Sequence, residues 1–485
     1  MGGAAGINLL FGIVRTKFTA IMIGSVGVGM LANFSVIQAL ISTVAGLGIQ
    51  SSAVHDMANA VAANDQQAAS RAALTLHRLC WLTGFFGAVA MISLSSLLSQ
   101  WTFGSSEHAL DIAMLGITIL VSNITGGLLA MIQGMRRIGD LARINIISAG
   151  GGTLAAVGCY SWLGMRGIVP SLLLIATIQL GISWFFARLV PLPKISMTWS
   201  ESFCEAKGMI RLGIAFMWSA LMASIVGYIS NSLITHYIGL KAVGINSAAF
   251  ALSGMFVNFV LNAMGADYYP RLASVAPDMT AMNRLVNEQT EIGLLLAVPG
   301  LLGTLSLAPW IIHIFYSSEF LPAAALLQWF ILGCLIRVIQ WPMGFLQLAL
   351  AKGRLFFVTQ TAFNAMHLLF IWIGITLLGL EGISIAFFLL YVVSLGVILL
   401  ISRHLTGFCW NFASRRLLMI LMPVIGVTFI MIRLLPLWLA TISGIVITII
   451  ATVLCLRGLI HRVGHEHHII RTACKIPGLR VICGL

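Results

Sequence analysis

Apolar runs follow one another along nearly the whole chain, and polar residues collect in the short gaps between them. The runs are continuous rather than alternating, so they predict helices and not strands. Each reaches about 20 residues, enough to cross ~30 Å of hydrocarbon, where only helices and closed barrels satisfy every backbone group. The pattern predicts helices at roughly 5–23, 30–52, 74–98, 109–132, 143–163, 168–189, 211–235, 244–265, 287–312, 323–349, 355–378, 383–402, 417–434 and 437–456. The expected fold is an all-α integral membrane protein of about 14 transmembrane helices.

The gaps alternate in character. Those at 53–73, 136–143, 189–211, 266–287, 351–354 and 403–416, with the tail from Arg457, hold twenty-one of the 27 lysines and arginines, helix ends included. The intervening turns at 24–29, 100–108, 164–167, 239–243, 316–321, 379–382 and 435–436 are short, mostly Gly-rich, and hold three: Arg166, Lys241 and Arg433. By the positive-inside rule the first set is cytoplasmic and both termini lie inside. The formal charge of +13 therefore follows topology and faces anionic headgroups, which argues against a nucleic-acid partner. Composition agrees: 59% hydrophobic and 8% charged residues are far from the roughly 25% charged of soluble domains. No cationic flank precedes the first apolar run, so no cleavable signal is expected there. Eight scattered cysteines without a C-x-x-C pair argue against a metal cluster or a disulfide framework.

The chain also matches itself at an offset of 212 to 215 residues. Ile23-Gly24-x-x-x-Val28-Gly29 returns as Ile238-Gly239-x-x-x-Val243-Gly244. Phe103-x-Ser105-Ser106-Glu107 returns as Phe315-x-Ser317-Ser318-Glu319, Gly139-x-Leu141 as Gly353-x-Leu355, and Leu163-Gly164-x-x-Gly167-Ile168 as Leu378-Gly379-x-x-Gly382-Ile383. A unit of six helices is even, so both copies share one orientation. Such parallel repeats place a substrate site between the halves near the midplane. The expected organisation is an N-terminal six-helix lobe at 1–190, a cytoplasmic linker at 191–210 and a second lobe at 211–402. Two further helices follow at 403–456, and then a basic cytoplasmic tail at 457–485.

The remaining three cations, Arg15, Lys17 and Arg337, fall inside apolar segments. A cation at the bilayer centre costs at least ~2.5–3.5 kcal/mol, which marks it for function. Arg15 lies nine residues before Gly24, roughly 13 Å down a helix. Asn8, Arg15 and Thr19 form one polar stripe; Arg337, Gln340, Gly344 and Gln347 form a second; Gly254, Asn258, Asn262 and Gly265 form a third. These stripes are expected to line a wet cavity. Lys17, about 200° around the helix from Arg15, is open to the cavity or to snorkelling outward. The alternative for all three is a structural role, capping carbonyls or pairing with a buried acid. No carboxylate is expected at mid-depth, so the cavity suits a phosphate-bearing solute, whose oxygens match guanidinium forks.

Asp267-Tyr268-Tyr269-Pro270-Arg271 reads as the end of helix eight, stopped by Pro270 and anchored by aromatics, or as a gate carrying an Asp267–Arg271 pair. Glu288 and Glu291, near the cytoplasmic end of helix nine, join Asp267 as candidates for ion coupling. His461, His465, His467 and His468 in the tail read as solvated or lipid-facing residues and not as a zinc site. No catalytic residues and no metal are expected.

The six-plus-six-plus-two layout, Arg15-Thr16-Lys17 before Ile23-Gly24-x-x-x-Val28-Gly29, and Gly265-Ala266-Asp267-Tyr268-Tyr269-Pro270-Arg271 resemble the Wzx-type O-antigen flippases of the multidrug/oligosaccharidyl-lipid/polysaccharide (MOP) exporter superfamily. The resemblance implies two six-helix bundles working by alternating access, with helices one, two, seven and eight lining the cavity. It implies a cargo of undecaprenyl-pyrophosphate-linked oligosaccharide, moved from the cytoplasmic to the periplasmic leaflet of a bacterial inner membrane. Partners would be that glycan, membrane lipids and polysaccharide polymerase machinery. No cofactor is implied beyond coupling to membrane potential, H⁺ or Na⁺. A lipid II flippase and a MATE-like drug/cation antiporter are the alternatives. A membrane glycosyltransferase or polymerase would need a large exposed catalytic loop, which the short gaps do not provide.

Overall fold

The computed structural model describes residues 2–193 and 195–463. Lys194 and the tail with His465, His467, His468, Arg471, Lys475 and Arg480 lie outside the described residues. The chain is helical throughout: α1 Gly2–Gly46, α2 Ile49–Ala62, α3 Gln66–Phe103, α4 Ala109–Gly134, α5 Ile138–Leu163, α6 Ile168–Arg188, α7 Trp199–Tyr237 and α8 Leu240–Ser274. There follow α9 Met279–Ser306, α10 Ala308–Phe315, α11 Ala323–Gly344, α12 Leu346–Ala349, α13 Gly353–Leu378, α14 Leu380–Thr406, α15 Phe412–Leu434 and α16 Leu437–Val463.

Among the described residues eleven helical runs are long and apolar enough to cross a membrane, or twelve with the bent pair α9–α10. Two of these runs, of 41 and 51 residues, would each measure more than 60 Å, twice one crossing. The longer is α5 and α6, parted by a short turn at Gly164–Gly167. The shorter lies within α1, which is broken at Gly24 (φ 63°, ψ −171°). Its arm 2–23 runs alongside α5, where Thr153 donates to the Phe11 carbonyl and Gly150 faces the Phe11 ring. Its arm 25–46 runs opposite to α7, through Asn33–Thr235 (2.9 Å) and Thr43–Ser224 (3.3 Å). Because α5 and α7 share a direction, the chain reverses at Gly24. Counted as two crossings each, the long runs bring the total among the described residues to fourteen.

Several boundaries differ from the hydropathy reading. The turn expected at 24–29 is a single residue, since Gly24 alone leaves helical geometry. The expected connection 53–73 is mostly helix, because Asp65 caps α3 by accepting from the Ala68 amide. More than half of the expected linker 191–210 belongs to α7, started by a capping box in which Thr198 and Glu201 bond each other's backbone amides. The helix expected at 287–312 bends by 80° at Leu307. Pro270 does not stop α8, which continues to Ser274. The proline removes one amide donor, while Tyr268 and Leu272 on either side are buried in a common core that favours continuing the helix past it.

The described residues form two compact units. The first holds residues up to Ile245 together with Phe315–Glu319; its core includes Phe34, Ile37, Met91, Ile112, Leu115 and Tyr160. The second holds Asn246–Ile314 and residues from Phe320 onward, built around α11, and its core includes Tyr268, Met282, Met343 and Phe408. This division puts α7 in the first unit rather than in the second lobe. The reason is close backbone contact: a Cβ on Gly48 would meet the Gly213 carbonyl at 2.1 Å.

The repeat is visible in backbone geometry. Gly164 (φ 55°, ψ −130°) and Gly379 (φ 61°, ψ −135°) end α5 and α13 in the same conformation. After each, the next glycine abuts a carbonyl 215 residues from its counterpart's: Gly167 the Cys159 oxygen, and Gly382 the Gly374 oxygen. Arg136 and Ala351 share positive φ (57° and 53°) at the same offset. That register is one residue off the Gly139–Gly353 match, so the backbone, not the glycines, aligns this turn. Within the first unit the copies meet reciprocally: a Cβ on Gly29 would lie 2.0 Å from the Leu240 carbonyl, and one on Gly244 2.0 Å from that of Ser25. Leu240 and Ser25 are also 215 apart, so the contact is self-complementary, as across a twofold axis.

Candidate functional site

In the first unit the candidate residues lie on the first arm of α1. Asn8 is half-buried, and its side-chain oxygen is buried without a partner. Arg15 is exposed and has no hydrogen bond or ion pair among the described residues. Thr19 is buried, so the stripe turns from a polar surface at Arg15 into the core one turn later. Lys17 points differently from Arg15: its ammonium donates to the Tyr316 carbonyl in the segment Phe315–Glu319.

That segment carries a cluster the sequence reading did not single out. The Glu319 carboxylate accepts from the Ser25 hydroxyl and, at 3.1 Å, from the Ser25 amide; Lys241 lies 3.7 Å away. Ser25 begins the second arm of α1, so Glu319 caps a helix N-terminus from nearly 300 residues away. The Ser25 hydroxyl is the main cause that holds its carboxyl below the usual carboxylate range, with help from the Ser25 amide and Lys241. The Gly24 break is what makes this possible, because a Cβ there would sit 3.1 Å from the carboxylate. The only signal in the sequence was that Phe315-x-Ser317-Ser318-Glu319 repeats; its counterpart Glu107 takes no such role at Gly239, where a Cβ would meet open space.

At the opposite, basic end of the first unit, the end of α1, the start of α2, the middle of α7 and Asn123 of α4 enclose a hollow of about 290 Å³. Ser42, Thr43, Gln50, Ser51 and Asn123 line it. Their hydroxyls and amides were not singled out in the sequence either, because none carries a charge and each is unremarkable in isolation. Together they offer donors and acceptors of the kind that sugar hydroxyls use.

In the second unit Asn258 and Asn262 are exposed on α8, with the Phe259 side chain exposed between them. Arg337 is half-buried on α11, flanked by buried Ile336 and Val338, and has no ion pair or hydrogen bond among the described residues. Gln340, one turn on, accepts from the Ser394 hydroxyl of α14 at 2.6 Å, and Gln347 accepts from Thr359 at 3.0 Å. Part of the α11 stripe is therefore tied to neighbouring helices and not to open space.

The acids proposed for gating or coupling are all paired. Asp267 and Arg271 bond within α8 at 3.1 Å, both exposed; Tyr268 between them is buried and donates to the Pro342 carbonyl. Glu288 pairs with Arg284 at 2.8 Å along α9. Glu291 is fully buried, accepts from the Ser414 hydroxyl at 2.6 Å and forms an ion pair with Arg462. Because α9 begins at Met279 and not near 287, Glu291 stands roughly 18 Å along its helix, level with the basic ends of α15 and α16. At the Gly-rich end Arg433 meets Glu381 at 3.2 Å.

A family model described as polysaccharide biosynthesis protein matches residues 23–325, more than half of the chain. The lipid III flippase of Escherichia coli (strain K12) is 22% identical over 400 residues, covering 79% of this chain and 91% of that protein. Among solved structures, lipid II flippase MurJ in an inward closed conformation gives a TM-score of 0.71 at 14% identity, over 95% of this chain and 99% of that one. An inward-facing MATE family multidrug resistance transporter of the MOP superfamily gives 0.68 at 15% identity, over 84% and 96%. At such identities the structural likeness carries the MATE- and MurJ-like fold and no cargo.

Proposed function

The chain belongs to the polysaccharide biosynthesis protein family, and from that membership we propose that it is a flippase for an undecaprenyl-pyrophosphate-linked oligosaccharide of the O-antigen (Wzx) type. It is a transporter and not an enzyme. It sits in the bacterial inner membrane with both termini in the cytoplasm, and alternating access carries the glycan headgroup to the periplasmic leaflet.

One observation carries the reading: Arg15 and Arg337, each inside a membrane-spanning segment, lack an acidic partner among the described residues. Keeping an unneutralised cation at such depth is costly. A phosphate-bearing headgroup is the kind of anion that would neutralise each of them, with bidentate hydrogen bonds. Asn8, Asn258 and Asn262 provide amides near the same helices, and the Ser42–Thr43–Gln50–Ser51–Asn123 hollow suits sugar hydroxyls. Lys17 and Gln340 act as positioning residues, through Tyr316 and Ser394 respectively.

The membrane potential supplies a drive, because an inside-negative potential favours outward passage of an anion by about 2.3 kcal/mol per charge per 100 mV. Coupling to H⁺ or Na⁺ through Asp267, Glu288 or Glu291 would first require opening the pairs with Arg271, Arg284 and Arg462. The same pairing weighs against a drug/cation antiporter, because it leaves none of these three acids unneutralised for a cationic cargo. A lipid II flippase is the second reading; the fold shared with MurJ accommodates it and does not choose between the two cargoes.

The test is deletion of the gene, scored by surface-polysaccharide gels and by the lipid-linked intermediates that accumulate. Loss of surface polysaccharide with retained lipid-linked repeat units is expected. Arg15→Ala and Arg337→Ala should each fail to restore the wild-type ladder, while Arg15→Lys and Arg337→Lys restore part of it. Full complementation by both alanine variants would remove the cationic site, and accumulation of the peptidoglycan precursor instead would select the second reading.

A further inference from the structure

A second cavity lies away from those cations, on the face where α3 and α6 flank α4 at the basic end of the first unit. It is a groove of about 510 Å³. Its walls are largely apolar, including Ala73 and Leu74 of α3 and Leu128 and Met131 of α4. Its floor is set by Gly127, where a Cβ would stand 2.7 Å from the Cys80 sulfur, so only glycine lets α3 and α4 close beneath it. Leu192, Pro193 and Ile195 of the α6–α7 connection border it at the same end.

Among the described lining residues Arg188 alone carries a full charge. Its guanidinium carbon lies 3.4 Å from the centroid of the Trp184 ring, a cation–π contact. Arg188 has no acidic partner among the described residues. The acid of the adjoining turn, Asp140, is taken by Arg137 and Arg143. Arg137 also donates to the Leu189 carbonyl, which fixes the backbone next to Arg188. An apolar trough ending in an uncompensated, pre-positioned cation matches an amphiphile with an anionic head.

We propose that this groove holds one anionic phospholipid, its phosphate against Arg188 and an acyl chain along α4. A soluble anion would leave the apolar walls exposed, and a zwitterionic lipid would bring a second cation against Arg188. The site is independent of the cargo, because none of its residues belongs to the proposed headgroup path.

The probe is phosphatidylglycerol carrying a photoreactive acyl chain, compared with phosphatidylcholine carrying the same chain, both in vesicles with the full-length protein. Adducts are mapped by mass spectrometry, with the highly exposed Leu154 region of α5 as the reference for bulk lipid. Adducts on Leu74, His77 and Met131 should favour phosphatidylglycerol about fivefold over phosphatidylcholine, as one basic residue at a membrane surface gives. The Leu154 region should show no such preference. Arg188→Gln should erase the preference while chain labelling persists, and Ala73→Phe should block labelling in the groove. Equal labelling by both lipids in the parent protein, or an unchanged preference in Arg188→Gln, would overturn the proposal even if Ala73→Phe fails to fold.

Discussion

Alanine at Gly244 should destabilise the protein through the crossing of α1 and α8. The new Cβ would lie 2.0 Å from the Ser25 carbonyl oxygen and 3.0 Å from the Gly29 nitrogen. Both are backbone atoms, so no side-chain rotation relieves the clash, and the helices must part by about 1 Å to restore even a tight contact. Overpacking of this kind costs ~1–3 kcal/mol, and a backbone-on-backbone clash belongs at the upper end. Against it stands the gain of alanine over glycine within a helix, about 1 kcal/mol. The net expectation is a loss of ~2 kcal/mol. By reciprocity Gly29→Ala should cost the same, and the double variant less than the sum, because the second Cβ enters a gap the first has opened. Gly12, on the first arm of α1 and with nothing within 4 Å of its Cβ position, is the control: Gly12→Ala should be neutral or stabilising. Thermal unfolding of the purified protein in nanodiscs, followed by intrinsic fluorescence, separates the two signs. A Gly244→Ala protein as stable as Gly12→Ala, or strict additivity in the double variant, would refute a reciprocal contact.

Two further outcomes follow from the ion pairs. Glu319→Gln should lower stability by less than about 1 kcal/mol, because the carboxylate is well exposed and Ser25 can still bond the amide. The sign with pH is set by a depressed carboxyl: the parent's advantage over the variant should be full at and above the ordinary value of 4.5 and fade only as pH falls through a lower one. A gap in unfolding midpoint that closes already between pH 7 and pH 5 would contradict this. Arg462→Ala leaves the Glu291 carboxylate buried and uncompensated, which should cost ~3–5 kcal/mol. Glu291→Gln should cost clearly less, since the amide keeps Ser414 and the partly exposed Arg462 can reach water; equal losses in thermal unfolding would count against the pairing.

Part of the site was legible in the residues because a cation within an apolar run is conspicuous at any position. Arg15, Lys17 and Arg337 declare themselves in this way, and the acid–base pairs at i and i+4, Asp267–Arg271 and Glu288–Arg284, follow from helical spacing alone. Boundaries were less legible. Thr198 with Glu201 is a readable capping box, yet it lies in a polar stretch that hydropathy assigns to a linker. Pro270 reads as a stop until the burial of Tyr268 and Leu272 on both sides is known.

The all-helical membrane fold, the approximate number of crossings and the repeated turns were contained in the amino-acid order. Hydrocarbon imposes a local test on every twenty residues, and glycine at Gly24, Gly164, Gly239 and Gly379 meets a left-handed backbone that the turn itself demands. Tertiary structure decided what lies beside what: Glu319 on Ser25, Arg462 on Glu291, Lys17 on Tyr316, Gly29 against Gly244. These partners are 171 to 299 residues apart. No local preference selects them, because each pairing depends on how whole helices pack and on which polar groups packing leaves without water.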